Sequence, residues 1–521
     1  MIKNILLPAL TICLFSCAAL AQADILIRNG RLLDGSGAAE KISDLAITGD
    51  RITFIGNAKK SRLKAKRTID AKGLIVSPGF IDPHTHADED LSNASRNSNV
   101  NYLMQGVTTV VINNDGASVL PLSKRFDLFK SQGIGTNAIL LVGQGSVRQA
   151  ILGMSDAAPN AEQLGKMKAL VRQAMQDGAF GMSTGLYYAP GSFSKTEEVI
   201  ELARVVAEFG GIYDSHIRDE SSYTIGLLGS IAEVIRIGRE AKLPVHVSHI
   251  KALGVDVWGQ SKDVISLIEK ARVEGINITA NQYPYTASGT GLGPALLPRW
   301  AEAGGNTELL KRIADPEIRP RLIKEMEENL RKRGGANAIL ITSAKDRSLN
   351  GKRLDALSQA TQKSPVETAL EIIKQGGASI VSFNMNEADI ENFMKQPWVM
   401  TGSDGSGGHP RKYGTYPRKL SDYVLKRHVI SVPRFIQAGS AQVAETFGVK
   451  ERGFLKTGYF ADVIIFDEKA VVEKATYESP TTLAVGMKWV IVNGKLVIED
   501  GKFSGVLAGR ALRKNAEART K

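Results

Sequence analysis

Cysteine is almost missing from this chain: of 521 residues only Cys13 and Cys17 are cysteine, and both stand in a leader-like stretch at the start. Lys3 gives that stretch a short positive head, Ile5 to Leu20 are mostly apolar, and Ala21-Gln22-Ala23 has the small-x-small form of a cleavage site. Residues 1–23 therefore read as a signal peptide rather than a membrane span. Cleavage after Ala23 leaves no thiol, which excludes disulfides and thiolate metal ligands from the mature form. Leu14-Phe15-Ser16-Cys17 is a poor lipobox. A periplasmic or secreted protein is expected, soluble rather than lipid-anchored, with no transmembrane segment after cleavage. Also missing is any basic run interleaved with aromatic residues. The formal charge of +12 is spread along the whole chain, which argues against a nucleic-acid partner and suits attraction of anionic small molecules or of an anionic cell surface.

What is present is the composition of a globular protein with many loops, 43% hydrophobic and 23% charged with 51 glycines, in a length that holds one large domain and a smaller one. From Asp24, short β-branched runs alternate with Gly and Asn turns, at 24–37, 44–47 and 51–57, and the style returns at 461–467 and 489–498, where Asn493-Gly494 marks a hairpin. The two ends, 24–75 and 451–510, are expected to form one small β-sandwich, with 511–521 as a tail. Between them, over 76–450, eight strand-length apolar runs alternate with helix-like segments: 107–112, 138–142, 179–182, 211–213, 244–247, 277–280, 379–383 and 398–400. That alternation predicts an α/β fold, a (β/α)8 TIM-like barrel whose functional groups gather at the C-terminal strand ends. An excursion at about 286–360, carrying a charged helix around Arg319 to Lys332, is expected to be an inserted lid or specificity subdomain.

The stretch Gly73-Leu-Ile-Val-Ser-Pro-Gly-Phe-Ile-Asp-Pro-His-Thr-His86 is an apolar run ending in polar residues, read as a buried strand on which Asp82, His84 and His86 share a face. Two neutral histidines at i and i+2 at a strand mouth suit one divalent metal, zinc above all. A surface His-x-His in a loop is the alternative for the tripeptide alone; the apolar lead-in and the Pro-Gly step favour metal. Other strand ends supply Asn113-Asn-Asp115-Gly116, Ser215-His216, Ser248-His249 and Thr401-Gly-Ser-Asp404. Taken singly, His216 or His249 reads as a hydrogen-bonded core residue. Four histidines and two aspartates at strand ends are hard to explain that way.

These residues carry a resemblance. Pro78-Gly-Phe-Ile-Asp-Pro-His-Thr-His86, Gln105-Gly-Val-Thr-Thr-Val-Val111, Gly181-Met-Ser-Thr-Gly-Leu186, Gly211 to Glu220, Val247-Ser-His-Ile-Lys251, Gln282-Tyr-Pro-Tyr-Thr-Ala-Ser288 and Gly402-Ser-Asp-Gly405 followed by His409-Pro-Arg-Lys-Tyr-Gly-Thr415 are similar to the text of the amidohydrolase superfamily. Within it the chain resembles the N-acyl-D-amino acid deacylases, or D-aminoacylases, from about Asp24 to Gly501.

The resemblance implies a barrel with one tightly bound zinc and sometimes a second, weaker one. It places His216 and His249 at the tight site, His84 and His86 at the weaker one, and Asp404 as ligand and general acid/base. Chemistry supports the transfer independently, because amide hydrolysis needs an activated water and a carboxylate that moves its proton to the leaving nitrogen. Lys251, Tyr283, Ser288 and Arg411 stand where the family reads the substrate carboxylate, and a Lys and an Arg fork suit that anion. Three departures stand out. Asp115 replaces a metal-ligating cysteine and is expected to contact metal, the alternative being a turn cap. Gly143-Gln144 replaces a Gly-His pair and is expected to alter a contact behind the ligands. Arg299, where relatives often have proline, is expected to favour acidic side chains. The implied activity is zinc-dependent hydrolysis of N-acyl-D-amino acids to a carboxylate and a free D-amino acid, acting on a small-molecule partner. A D-residue dipeptidase or a hydantoinase-like cyclic amidase is the second reading. A non-catalytic binding barrel is the third, disfavoured because every expected catalytic position holds a competent residue.

Overall fold

Gly79 divides between two sheets the apolar run that sequence alone reads as one strand. On one side Ile75–Pro78 pairs antiparallel with Val463–Phe466 and parallel with Ala23–Leu32; on the other, Phe80–Asp82 pairs in parallel with Val107–Ile112. A Cβ at Gly79 would meet Thr108 Oγ1 at 2.2 Å, so the crossing has room only for glycine. The computed structural model describes residues 22–514, so the expected leader up to Ala21 and the last seven residues lie outside it.

The first of the two sheets has nine strands drawn from both chain ends, in the order Lys502–Phe503, Lys495–Glu499, Met487–Val492, Val463–Phe466, Ile75–Pro78, Ala23–Leu32, Lys41–Thr48 and Arg51–Gly56, with Ala65–Asp70 also on Ala23–Leu32. Ile27, Leu45, Ile47, Ile52, Val463, Ile465 and Ile491 make its shared core. Ala511–Leu512, expected to be part of a tail, instead pairs in parallel with Asn137–Leu140, because the Asn137 side chain accepts the Arg510 N–H at 3.0 Å and Arg510 O accepts the N–H of Ala138 at 2.9 Å.

The barrel has eight parallel strands: β1 (Phe80–Asp82), β2 (Val107–Ile112), β3 (Asn137–Leu140, continued by Val142–Gly143), β4 (Gly181–Gly185), β5 (Ile212–His216), β6 (Val245–Val247), β7 (Ile278–Gln282) and β8 (Val399–Thr401). All are buried along their length, as a parallel sheet covered by helices requires. The ring closes beyond the strands, where Thr85 bridges Gly405 and the Asp404 N–H donates to His84 O at 2.9 Å.

One expected barrel strand is not in the barrel. Ser379–Phe383, within the strand Ala378–Phe383, pairs antiparallel with Ala287–Gly291 and Ile339–Ala344 in a separate three-stranded sheet. The insertion accordingly runs from about 287 to 383 rather than to 360, around a core of its own that includes Leu292, Leu322, Met326, Ile339 and Leu370. An apolar run of strand length does not say which sheet it joins, and β1 takes the eighth place. Among the described residues no helix is long and apolar enough to cross a membrane.

Candidate metal centre

Six side chains from five strand ends meet at the mouth of the barrel. His84 and His86 follow β1, Asp115 follows β2, His216 is the last residue of β5, His249 follows β6 and Asp404 follows β8. Asp115, His249 and Asp404 have φ of +55°, +34° and +48°. Backbone held in this region by non-glycine residues is strained by about 1–3 kcal/mol each and persists where surroundings over-determine it. Those surroundings are visible: Asn281 Oδ1 accepts the His249 N–H at 2.9 Å, and Asn113 N–H donates to Asp88 at 2.8 Å. Asp82 does not join the cluster, contrary to the alternation reading, because the strand ends there. Its carboxylate instead accepts the N–H groups of Ser403 (3.0 Å) and His84 (3.2 Å), tying the two turns that carry Asp404 and His84 together.

Two groups of candidate ligands share one residue. Asp115 Oδ1 lies 3.4 Å from His84 Nε2, 3.5 Å from His216 Nδ1 and 3.6 Å from His249 Nε2, and Oδ2 lies 3.5 Å from His86 Nε2. Asp404 Oδ1 is 3.1 Å from His86 Nε2 and 3.7 Å from His84 Nε2. His84, His86, Asp115 and Asp404 thus form one metal-sized group, and Asp115, His216 and His249 another. Among the described residues no backbone N–H reaches the Asp115 carboxylate, as the turn-cap alternative requires. Both ring nitrogens of His84 and of His216 and Oδ1 of Asp115 are buried without a hydrogen-bond partner. Such orphaned atoms cost about 1–3 kcal/mol each, which a bound divalent ion would offset. Four imidazoles and two carboxylates without sulfur fit zinc and tolerate manganese or cobalt.

Burial works against ionisation of Asp115 and of Asp404. The imidazoles outweigh it at Asp115, and Arg411 with the imidazoles outweighs it at Asp404, so both carboxyls are held well below their usual range. Burial also opposes charge on His86, yet the Asp404 hydrogen bond and Asp115 raise it to about 9 in the absence of metal.

Glu220 received no role from the sequence and is buried beside the candidate ligands. Its Oε1 is 3.0 Å from His249 Nδ1 and paired with Lys251, whose Nζ is 2.7 Å from the same Nδ1. Glu220 and Lys251 together meet the Nδ1 edge of the His249 ring, which fixes the ring with Nε2 towards the cluster. The available signal was the motif Gly211 to Glu220 itself, in which a carboxylate stands four residues beyond His216.

The four residues expected at the substrate carboxylate differ in their freedom. Lys251, Tyr283 and Ser288 line a cavity of about 820 Å³ that opens on the metal cluster. Lys251 is not a free cation, being held by Glu220. Ser288 Oγ donates to Asn384 Oδ1 at 3.1 Å. Arg411 lies behind Tyr283, with its Cζ 4.5 Å from the ring centroid, its Nη1 2.8 Å from Asp404 Oδ2 and its Nη2 3.1 Å from Ser406 Oγ. Gln144 touches none of the ligands; its amide donates to Ser194 (2.7 Å) and Glu198 (3.0 Å) beside the buried Arg148–Glu198 pair. Arg299 is ion-paired with Glu302 at 2.6 Å, donates to Pro294 O, and lies over the Tyr187 ring at 4.3 Å, so its charge already has a carboxylate partner.

The amidohydrolase family profile matches residues 67–498. D-aminoacylase of Alcaligenes xylosoxydans xylosoxydans is 33% identical over 95% of this chain and 98% of its own. Two solved structures superpose with TM-scores of 0.81, each covering 94% of this chain and 100% of theirs: a D-aminoacylase with a binuclear metal centre, 31% identical, and the N-acyl-D-glutamate deacylase of Bordetella bronchiseptica, 29% identical, complexed with zinc and a phosphonate that mimics the tetrahedral intermediate.

Proposed function

The chain belongs to the amidohydrolase family, and on that footing we propose that it is a zinc-dependent deacylase that hydrolyses N-acyl-D-amino acids to a carboxylate and a free D-amino acid. The observation that carries the reading is Asp404, whose two carboxylate oxygens face His86 of the metal cluster on one side and Arg411 on the other. His216 and His249 would hold the tighter ion and His84 and His86 the weaker, with Asp115 belonging to both groups. An ion there supplies Lewis acidity, polarising the amide carbonyl and bringing water towards ionisation near neutral pH. Asp404 takes the proton that the attacking water loses and passes it to the leaving nitrogen, so that the C–N bond breaks as a neutral amine departs. Arg411 pairs with the substrate α-carboxylate, and Tyr283 fixes the plane of its guanidinium. An anion drawn to Arg411 shares the charge that depresses Asp404, making Asp404 a better base once substrate is bound.

N-acyl-D-glutamate and N-acyl-D-aspartate are the substrates named for two of the similar proteins, and among the described residues no contact favours the dipeptidase or ring-opening reading over linear amides. The test is release of free amino acid from N-acetyl-D-amino acids by protein stripped with a chelator and reloaded with zinc, alongside Asp404→Asn. Activity should return with zinc, and the variant should keep its metal while losing roughly 10²- to 10⁴-fold in turnover. A variant within about threefold of wild type removes Asp404 from the mechanism. We also infer export from the composition of residues 1–23; a mature N-terminus at Asp24 in the periplasm or medium supports it, and intact Met1 in the cytoplasm overturns it.

A further inference from the structure

Among the described residues four Lys and Arg side chains line the cavity, and three of them have a carboxylate partner. Arg96 and Lys412 both pair with Asp90, at 3.2 and 2.6 Å, and Lys251 pairs with Glu220. The fourth, Arg333, follows the helix Arg319–Lys332 of the insertion and is only 2% exposed. Among the described residues no carboxylate oxygen lies within 4 Å of its guanidinium. Its partners are neutral: Nε donates to Ala295 O at 3.1 Å, Nη1 to Ser382 Oγ at 3.2 Å and Nη2 to the Tyr187 hydroxyl at 3.0 Å. These contacts use three of the five N–H donors of a guanidinium and leave two. A buried charge without a counter-ion is costly to keep. The hydroxyl of Tyr223, whose ring centroid lies 5.8 Å from the Arg333 Cζ, is also buried without a partner, as is Thr342 Oγ1 on the same insertion wall of the cavity.

Tyr187 links this wall to the metal cluster. Its ring centroid is 5.7 Å from that of His216, and its hydroxyl holds Arg333. One tyrosine side chain therefore spans the gap, a reach comparable to that of a substrate side chain or short acyl chain. We propose that Arg333 receives a second carboxylate of the substrate, distinct from the α-carboxylate, so that the preferred substrates are N-acyl-D-amino acids with two acid groups. The second acid stands either on the side chain, as in glutamate, or at the end of the acyl chain, as in a succinyl group. The inference rests on the deacylase reading and names the substrate class within it. It moves the acidic selectivity that the sequence assigns to Arg299 onto the cation that has no carboxylate of its own.

The test compares kcat/KM of the zinc-loaded enzyme within two matched pairs: N-acetyl-D-glutamate against N-acetyl-D-glutamine, and N-succinyl-D-alanine against N-butanoyl-D-alanine. In the wild type one diacid should exceed its neutral partner by roughly 10- to 100-fold, the size of a charge-assisted hydrogen bond. The pair that shows the preference names the source of the second acid. Arg333→Met should bring that ratio to about 1, and Arg333→Lys should leave it in between. A wild-type ratio near 1 or below in both pairs, or a preference that survives in Arg333→Met, overturns the proposal and leaves Arg333 as a strut between the insertion and Tyr187. If Arg333→Met does not fold, the wild-type ratios and Arg333→Lys decide. Cleavage of neutral substrates in preference to acids refutes this inference alone; cleavage of none of the four refutes the deacylase reading with it.

Discussion

Arg411 Nη1 lies 2.8 Å from Asp404 Oδ2 with both side chains buried, so the cation proposed to read a substrate carboxylate is ion-paired with the carboxylate proposed to move a proton. Removing Arg411 therefore has two effects: every substrate feels the change at Asp404, but only a free α-carboxylate loses its partner. Arg411→Ala is expected to lower kcat/KM for N-acyl-D-amino acids at least about tenfold more than for their methyl esters. Equal losses for acid and ester would mean that Arg411 acts only through Asp404.

Asp115 sits 3.4–3.6 Å from all four imidazoles of the cluster. A carboxylate in that place is a harder ligand than a thiolate and holds zinc less tightly. Zinc titration should show lower occupancy in Asp115→Ala and equal or higher affinity in Asp115→Cys. Unchanged stoichiometry and affinity in Asp115→Ala would remove Asp115 from the metal centre.

Glu220 orients His249 through Nδ1 and holds Lys251 at the same time. Partners of this kind typically account for about 10- to 100-fold in metal affinity. Glu220→Ala should lose that much zinc affinity while keeping the far-ultraviolet circular dichroism of the wild type. Wild-type affinity in a folded variant would make Glu220 a partner of Lys251 alone.

The barrel and the residues that cluster at its mouth were legible because a buried parallel strand is an apolar run and the polar residues of the mouth stand directly beyond it, as at Val107–Ile112 followed by Asp115. The same rule misplaced Ser379–Phe383, since the pattern of a strand carries no address for the sheet it joins. It also merged two strands across Gly79, whose tight approach to Thr108 is a tertiary fact. Lys251 looked like a free cation because its partner Glu220 is 31 residues away in sequence. Arg333 left no mark at all: at the end of a charged helix it resembles its exposed neighbours until folding buries it.

Lys419 offers a test of the core in a pH window. It is buried, and its Nζ donates to Thr401 Oγ1 at 2.9 Å; burial, and then Arg434, push it down from 10.5 to about 7. Between pH 10.5 and 7 the unfolded chain holds this proton while the folded chain does not, so the contribution of Lys419 to stability falls as pH drops through that window and its penalty is complete below about pH 7. Lys419→Met should therefore melt above the wild type at pH 7, by on the order of a few kcal/mol, with the gap narrowing towards pH 10. A gap that is absent or that widens with pH would place a charged Lys419 comfortably in the fold.

Zinc-dependent D-deacylase activity is measured as the rate of free amino acid release by the zinc-loaded protein from matched N-acetyl-D- and N-acetyl-L-amino acids, beginning with the glutamate pair, before and after chelation. Cleavage of the D-substrate should be at least about tenfold faster than that of the L-substrate, abolished by the chelator and restored by zinc. Equal or L-preferring cleavage, or D-activity that survives complete removal of metal, would contradict the D-deacylase reading.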